Sequence, residues 1–339
     1  MRKTRLLLVG VLLVAVCFSG FAATKIAYLT VVLDHPYWRA QSATVEDLCK
    51  KQGIELSILN AANDAIKQAS QVDSVILQKP DAVIFTAVDT GAGAALAAKI
   101  KAAGIPLVVN NRPIPGATYD IQIVIDPFVM GKQAAEAFVK FAKSRYGSAK
   151  GNYLELQGQL SDDNVIQWEK GFKSVMDKNP NMKWNVQNTN WDLVRGTQQA
   201  TDAFMANPNY DGIWTQSDFL IPAITPIVKD KPKSGQKGHV FWVSHSGDEY
   251  ALSEVKEGRM DVTINMPVND LAALSLEYAL KLAKGEKIKP GTVTRKGAPW
   301  SPSKIVQGEN GLDFYLASWP VDAKTAGDPT LWGNLFKSQ

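Results

Sequence analysis

The stretch NAANDAIKQASQVDSVILQKPDAVIFTAVD, residues 60–89, decides the fold, because TNWDLVRGTQQATDAFMANPNYDGIWTQSD, residues 189–218, repeats its order. Each runs from a strand end through an aspartate, a helix-period segment and a proline-containing turn into a second apolar strand closed by an aspartate. One βαβ device used twice predicts two similar doubly wound lobes.

Outward from the repeat, strand-like apolar runs alternate with helical periodicity. The expected strands are 25–33, 55–59, 82–86, 107–110, 121–125, 152–156, 184–189, 212–215, 240–244 and 262–265. Between them lie segments with apolar residues at three- and four-residue spacing, such as 134–141 and 271–282. Alternation of this kind implies an α/β fold with parallel sheets covered by helices on both faces. A chain of 339 residues also exceeds what one core organises, so two lobes are the default.

The first residues read as an address. Arg2, Lys3 and Arg5 precede the apolar run 6–18, and Gly20 and Ala22 supply small residues before a cleavage point. A signal peptide over 1–23 is expected, and with it a periplasmic or other extracytoplasmic location. Cys17 follows Val16, where a lipid-attachment signal needs a small residue, so no lipid anchor is expected. Removing the leader takes three of the 37 basic residues and leaves 34 against 33 acidic ones. That balance removes the electrostatic case for a nucleic-acid partner. Cys49 is then the only cysteine, which excludes an internal disulfide and reads as core packing.

Ligands of doubly wound sheets bind beyond the carboxyl ends of the strands. Those ends carry His35, Tyr37 and Trp38; Thr86 and Asp89; Asn111 and Arg112; Asp126; Asn164 and Trp168; Trp191; Ser217 and Asp218; His245; and Asn265. Aromatics, amides and single charges dominate, with no catalytic pair among them. The glycines of DTGAGAALAAK, residues 89–99, lack the Gly-Lys-Ser/Thr ending of a phosphate loop. His35, His239 and His245 lack metal-ligand spacing, and no serine-centred elbow occurs. Neither an enzyme activity nor a cofactor or metal is expected.

KIAYLTVVLDHPYWRAQ, KPDAVIFTAVDTGA, AAGIPLVVNNRP, YLELQGQLSDDNVIQWEKGF, DGIWTQSDF and GRMDVTINMP follow one another from about residue 25 to 285. In order and spacing they resemble the type 1 periplasmic binding proteins of sugar ABC transporters, the ribose-binding-protein group. The resemblance implies a three-strand hinge, with crossings near 125–126, 265–266 and 291–300, and a monomer that presents a sugar or polyol to a membrane permease. The lobes would be 24–125 plus 266–297 and 126–265 plus 298–339, the latter carrying an extended tail with Trp300, Trp319 and Trp332.

Residue by residue, the resemblance makes Tyr37 and Trp38 the aromatic pair that stacks on a sugar ring, against the plainer reading of a hydrophobic staple. His35 takes the place of a family asparagine. Arg112 matches a ligand-binding arginine whose guanidinium forks onto vicinal oxygens, and Asn111 replaces the usual aspartate beside it. Trp168 stands where a second arginine is common, and His245 stands where an aspartate is. Trp191 fits the second lobe's aromatic, with core packing the competing reading for both tryptophans. Ser217 replaces an asparagine, Asn265 sits near a usual amide, and Thr86 and Asn164 complete the set. Asp218, like Asp89, either accepts a hydroxyl or caps the next helix. A pocket that trades charge for aromatic surface departs from a simple glucose or ribose site. A quorum-signal binder of the same build, a regulator's effector domain and an exported sugar-processing enzyme are the alternatives.

Overall fold

The computed structural model describes residues 23–336. The expected leader therefore lies outside the described residues up to residue 22, and Cys17 with it.

The chain runs β1 (Lys25–Thr30), α1 (Pro36–Gln52), β2 (Glu55–Asn60), α2 (Ala65–Gln78), β3 (Ala82–Phe85), α3 (Thr90–Ala102), β4 (Leu107–Asn110) and β5 (Ile121–Ile125). It continues through α4 (Pro127–Tyr146), β6 (Gly151–Gln157), α5 (Asp163–Met176), β7 (Met182–Asn188), α6 (Leu193–Ala206), β8 (Gly212–Thr215), α7 (Ile221–Val228), β9 (Phe241–Ser246), α8 (Glu249–Lys256) and β10 (Val262–Asn265). Last come α9 (Val268–Ala283), β11 (Gly291–Val293), β12 (Ser303–Gln307), β13 (Leu312–Leu316), β14 (Trp319–Val321) and α10 (Trp332–Leu335).

Two sheets result, ordered β11-β12-β13-β5-β4-β3-β1-β2 and β14-β10-β9-β8-β6-β7. The ten expected strands are β1 to β10, all parallel to their neighbours in that set. The inner strands are largely apolar, as strands covered on both faces require, with buried polar residues such as Gln122, Glu155 and His245 among them. The helices α1 to α6 and α8 start where the sequence supplies a capping side chain. Asp64 accepts from the backbone N–H of Ile66 and Lys67 at the head of α2, and Asp192 accepts from Arg195 at the head of α6. These repeat-related helices have the same length, 14 residues. Asp89 and Asp126 likewise cap α3 and α4.

The chain passes between sheets three times. It leaves the first after β5, returns between β10 and α9, and leaves again between β13 and β14. The last passage, at Ala317–Ser318, corrects the expected crossing at 291–300. Residues 303–316 form β12 and β13, which extend the first sheet through β13 lying parallel to β5, Leu312 opposite Ile121. They belong with the first lobe, not with a tail of the second. From β14 onward the chain joins the second sheet, β14 running antiparallel to β10.

Under the cleft, Asn110 ties the first lobe together. Its amide donates to Gln41 Oε1 at 2.8 Å and to Thr86 Oγ1 at 3.1 Å, and its Oδ1 accepts from Ser275 Oγ at 3.2 Å. In the second lobe α4 and α5 cross at glycines. A Cβ on Gly131 would stand 1.9 Å from the Trp168 carbonyl oxygen, and one on Gly171 the same distance from that of Phe128. Only hydrogen fits at either position, and this near contact of backbones fixes where α5 presents Trp168.

Candidate functional site

Between the lobes lies a cavity of about 230 Å³. Its walls come from loops at the carboxyl ends of both sheets. Ten of the thirteen expected residues line it: His35, Tyr37, Trp38, Asn111 and Arg112 from the first lobe, and Asn164, Trp168, Trp191, Ser217 and His245 from the second.

The first wall is built by the start of α1. His35 caps that helix, its Nδ1 accepting from the Tyr37 N–H at 3.1 Å, and Pro36 fixes the first turn. Because Nδ1 accepts, the imidazole proton sits on Nε2. Tyr37 and Trp38 then pack edge to face, centroids 4.9 Å apart. The Tyr37 hydroxyl accepts from the Asn111 amide, and the Arg112 guanidinium lies over the Trp38 ring at 5.5 Å.

The opposite wall is aromatic. Trp168 meets Trp191 edge-on at 6.3 Å and His245 at 5.2 Å. The backbone of Trp191 is left-handed at φ 55°, as is that of Asn190. In the first lobe Ala62 and Asn63 adopt the same conformation, at φ 54° and 57°, just ahead of the equivalent cap Asp64. The repeat therefore extends to the turn itself. Asn63 tolerates a left-handed backbone, whereas an indole there costs on the order of 1 kcal/mol and persists only where something else over-determines it.

Several contacts join the walls. Arg112 Nη2 pairs with Asp162 Oδ2 at 2.9 Å, both side chains almost wholly buried. Its Nη1 donates to the carbonyls of Ala87 and Val88 at 3.1 and 2.9 Å. Asn164 donates to Asn111 Oδ1 at 3.2 Å, Thr90 N–H to the Ser161 carbonyl at 2.9 Å, and His35 stacks on Phe219 at 4.8 Å. The lobes are thus in contact along the cleft.

Three expected residues lie outside the cavity, each for a definite reason. Thr86 is fully buried beneath it as a partner of Asn110. Asp218 turns its carboxylate to the backbone of Gly247 and Asp248, accepting at 2.6 and 2.9 Å. Asn265 faces the back of the hinge. Conversely, Asp162, Gln216, Phe219, Ser246 and Met266 line the cavity without having been singled out. The cap pattern Asp-x-Asn ahead of α5 was the available signal for Asp162.

The electrostatics are those of a dry, nearly neutral site. Burial lowers the His245 imidazole to about 3, so the ring is uncharged. Burial also raises the Asp162 carboxyl, with Arg112 pulling it down. Buried polar atoms without a partner cluster here: both nitrogens of His245, Trp168 Nε1, Ser246 Oγ and Arg112 Nε. Among the described residues no cluster of His, Cys, Asp and Glu could hold a metal, and no helix is long and apolar enough to cross a membrane.

A family model described as a periplasmic binding protein domain matches residues 26–287. A D-apiose import binding protein of Paraburkholderia graminis is 27% identical over 272 residues, 79% of this chain and 84% of the relative. A xylitol-binding protein of Mycolicibacterium smegmatis is 31% identical over 254 residues, 74% and 69% of the two chains. The carbohydrate transporter solute-binding protein of Agrobacterium radiobacter, solved with D-arabinose, superposes with a TM-score of 0.77 at 16% identity, covering 91% of this chain and 97% of that one.

Proposed function

The chain belongs to the periplasmic binding proteins, in the type 1 group of sugar receptors that serve ABC importers, and from that premise we propose that it captures a small uncharged sugar or polyol in the interlobe cavity by hinge closure and delivers it to a membrane permease. The ten lining residues found from the strand ends, together with Asp162, are the proposed ligand contacts.

One observation carries this reading. The partnerless polar atoms of His245, Trp168, Ser246 and Arg112 all belong to the wall of one cavity. A buried donor or acceptor left unmade costs about 1–3 kcal/mol, so the unliganded closed form is held at a disadvantage that a guest with several hydroxyls removes. Such hydroxyls both donate and accept, which suits neutral His245. The aromatic walls match the apolar faces of a sugar ring.

Size and charge narrow the guest. At about 230 Å³ the cavity falls below the roughly 300–1,000 Å³ of pockets for drug-sized ligands, which fits a single pentose, hexose or open-chain polyol. Arg112 is already paired with Asp162 and His245 is uncharged, so among the described residues of the wall neither offers a free cation to a sugar acid. Residence in the periplasm or another extracytoplasmic space is part of the same proposal.

A thermal-shift screen of neutral monosaccharides and polyols, D-apiose, xylitol and D-ribose included, tests the proposal. Ligand at 100 times its dissociation constant stabilises the folded form by about 2.7 kcal/mol. A flat response across the panel would overturn it.

A further inference from the structure

A second cavity, of about 440 Å³, lies behind the hinge. Met266 is common to the walls of both cavities. The first lobe contributes Asp270 on α9 and the loop carrying Lys296 and Trp300; the second contributes Asn265, Trp319 and Trp332. Hinge motion therefore reshapes this cavity as it does the cleft.

Its lining has the chemistry of a binding site. Trp300 and Trp332 are buried, Trp319 half-buried, so indole surface comes from both lobes. Glu277 is satisfied by Lys281 at 2.7 Å and by Arg295. Among the described residues Asp270 and Lys296 have no ion pair; burial raises the Asp270 carboxyl, and a hydrogen bond with Trp300 on the same wall opposes that rise. Asn265 Oδ1 has no hydrogen-bond partner. An anionic guest would meet Asp270 and Glu277, and a cationic one Arg295 and Lys296. An uncharged molecule with hydroxyls for both signs and an apolar face for the indoles meets neither penalty.

We propose that this is a second ligand site, for a small uncharged polyhydroxylated molecule, coupled to the state of the cleft. The coupling element is Trp332. Its Nε1 donates to the Ser246 carbonyl at 2.7 Å, and its ring stands edge-on to Tyr37 at 6.1 Å, so one residue of the rear cavity touches two residues of the front one. A guest that holds Trp332 and α9 in their present relation favours the closed cleft, and linkage requires the cleft's guest to favour the rear site by the same factor.

The test uses the mature chain labelled with 5-fluorotryptophan, with Trp300, Trp319 and Trp332 resonances assigned by single Trp→Phe variants. Xylitol and D-ribose are titrated against a Trp191→Ala background, in which front-site binding is weakened tenfold or more and moves to higher probe concentration. The Trp319 and Trp332 signals should shift saturably, and Asp270→Asn with Lys296→Ala should weaken that response roughly tenfold or more. Both substitutions lie outside the cleft wall, so folding is checked by their unchanged spectrum without probe. No saturable shift, a shift indifferent to Asp270 and Lys296, or one that occurs only with Trp191 intact would overturn the proposal. Failure of the cleft reading would instead leave these rear-site shifts in place while the thermal screen is lost in the Asp270→Asn, Lys296→Ala protein.

Discussion

Arg112 Nη2 and Asp162 Oδ2 meet at 2.9 Å across the cleft, one from each lobe, with side chains only 5% and 2% exposed. Removing one partner of such a pair while the site stays closed costs about 3–5 kcal/mol, because the other charge is left dry. Opening the hinge lets water reach it, so the loss falls on closure rather than on folding. Arg112→Met should lower ligand affinity at least 100-fold and enlarge the particle in small-angle scattering, whereas Arg112→Met with Asp162→Leu recovers much of the compaction. Strictly additive effects in this double-mutant cycle would mean that the pair does not latch the lobes.

Trp191→Asn separates binding from stability. Asparagine tolerates the left-handed backbone that Trp191 is held in, so relief of strain offsets the lost packing and the unfolding free energy should stay within about 1 kcal/mol of the parent. Affinity should fall tenfold or more, since stacking surface is gone. Calorimetric titration beside denaturant unfolding decides; a large stability loss with affinity intact would make this ring a core residue.

Gly171→Ala should be costly although it lies outside the cavity wall. The added methyl meets the Phe128 carbonyl at 1.9 Å, and backbone cannot step aside as a side chain can. Parting α4 from α5 costs about 1–3 kcal/mol and displaces Trp168, one turn away. Both the denaturation midpoint and the dissociation constant should move. A change in neither would show that the two helices separate freely.

The fourth expectation concerns pH. His245 titrates near 3 in the folded protein against 6.5 in the unfolded chain, so the unfolded form binds the proton first. Its stabilising share is complete above pH 6.5 and disappears as pH falls toward 3. Between pH 6.5 and 5 the parent should lose roughly 1–2 kcal/mol relative to His245→Gln. Parallel stability curves would refute a buried neutral ring.

The parallel core of both lobes was legible because its signal is local: apolar runs, cap aspartates and helical spacing recur within each βαβ unit. The strands β11 to β14 were not, being only three to five residues long and, for β13 and β14, joined to partners far away in sequence, as β13 is to β5. In the site, the strand-end rule led to the rim of the interlobe cavity but not to the direction of each side chain. Thr86 and Asp218 occupy that rim and turn inward to Asn110 and to the Gly247 turn, a choice made by buried hydrogen bonding that no spacing encodes. Asp162 escaped notice because its cap role hid its second task, meeting Arg112 from the other lobe.

The parallel seam between β5 and β13 also sets an order of events during synthesis. Until residues 312–316 leave the ribosome, β5 is a bare margin of five residues with nothing beside it on that side. The first lobe thus waits on a strand made long after β5, which leaves that margin uncommitted and vulnerable to pairing with strangers until β13 follows.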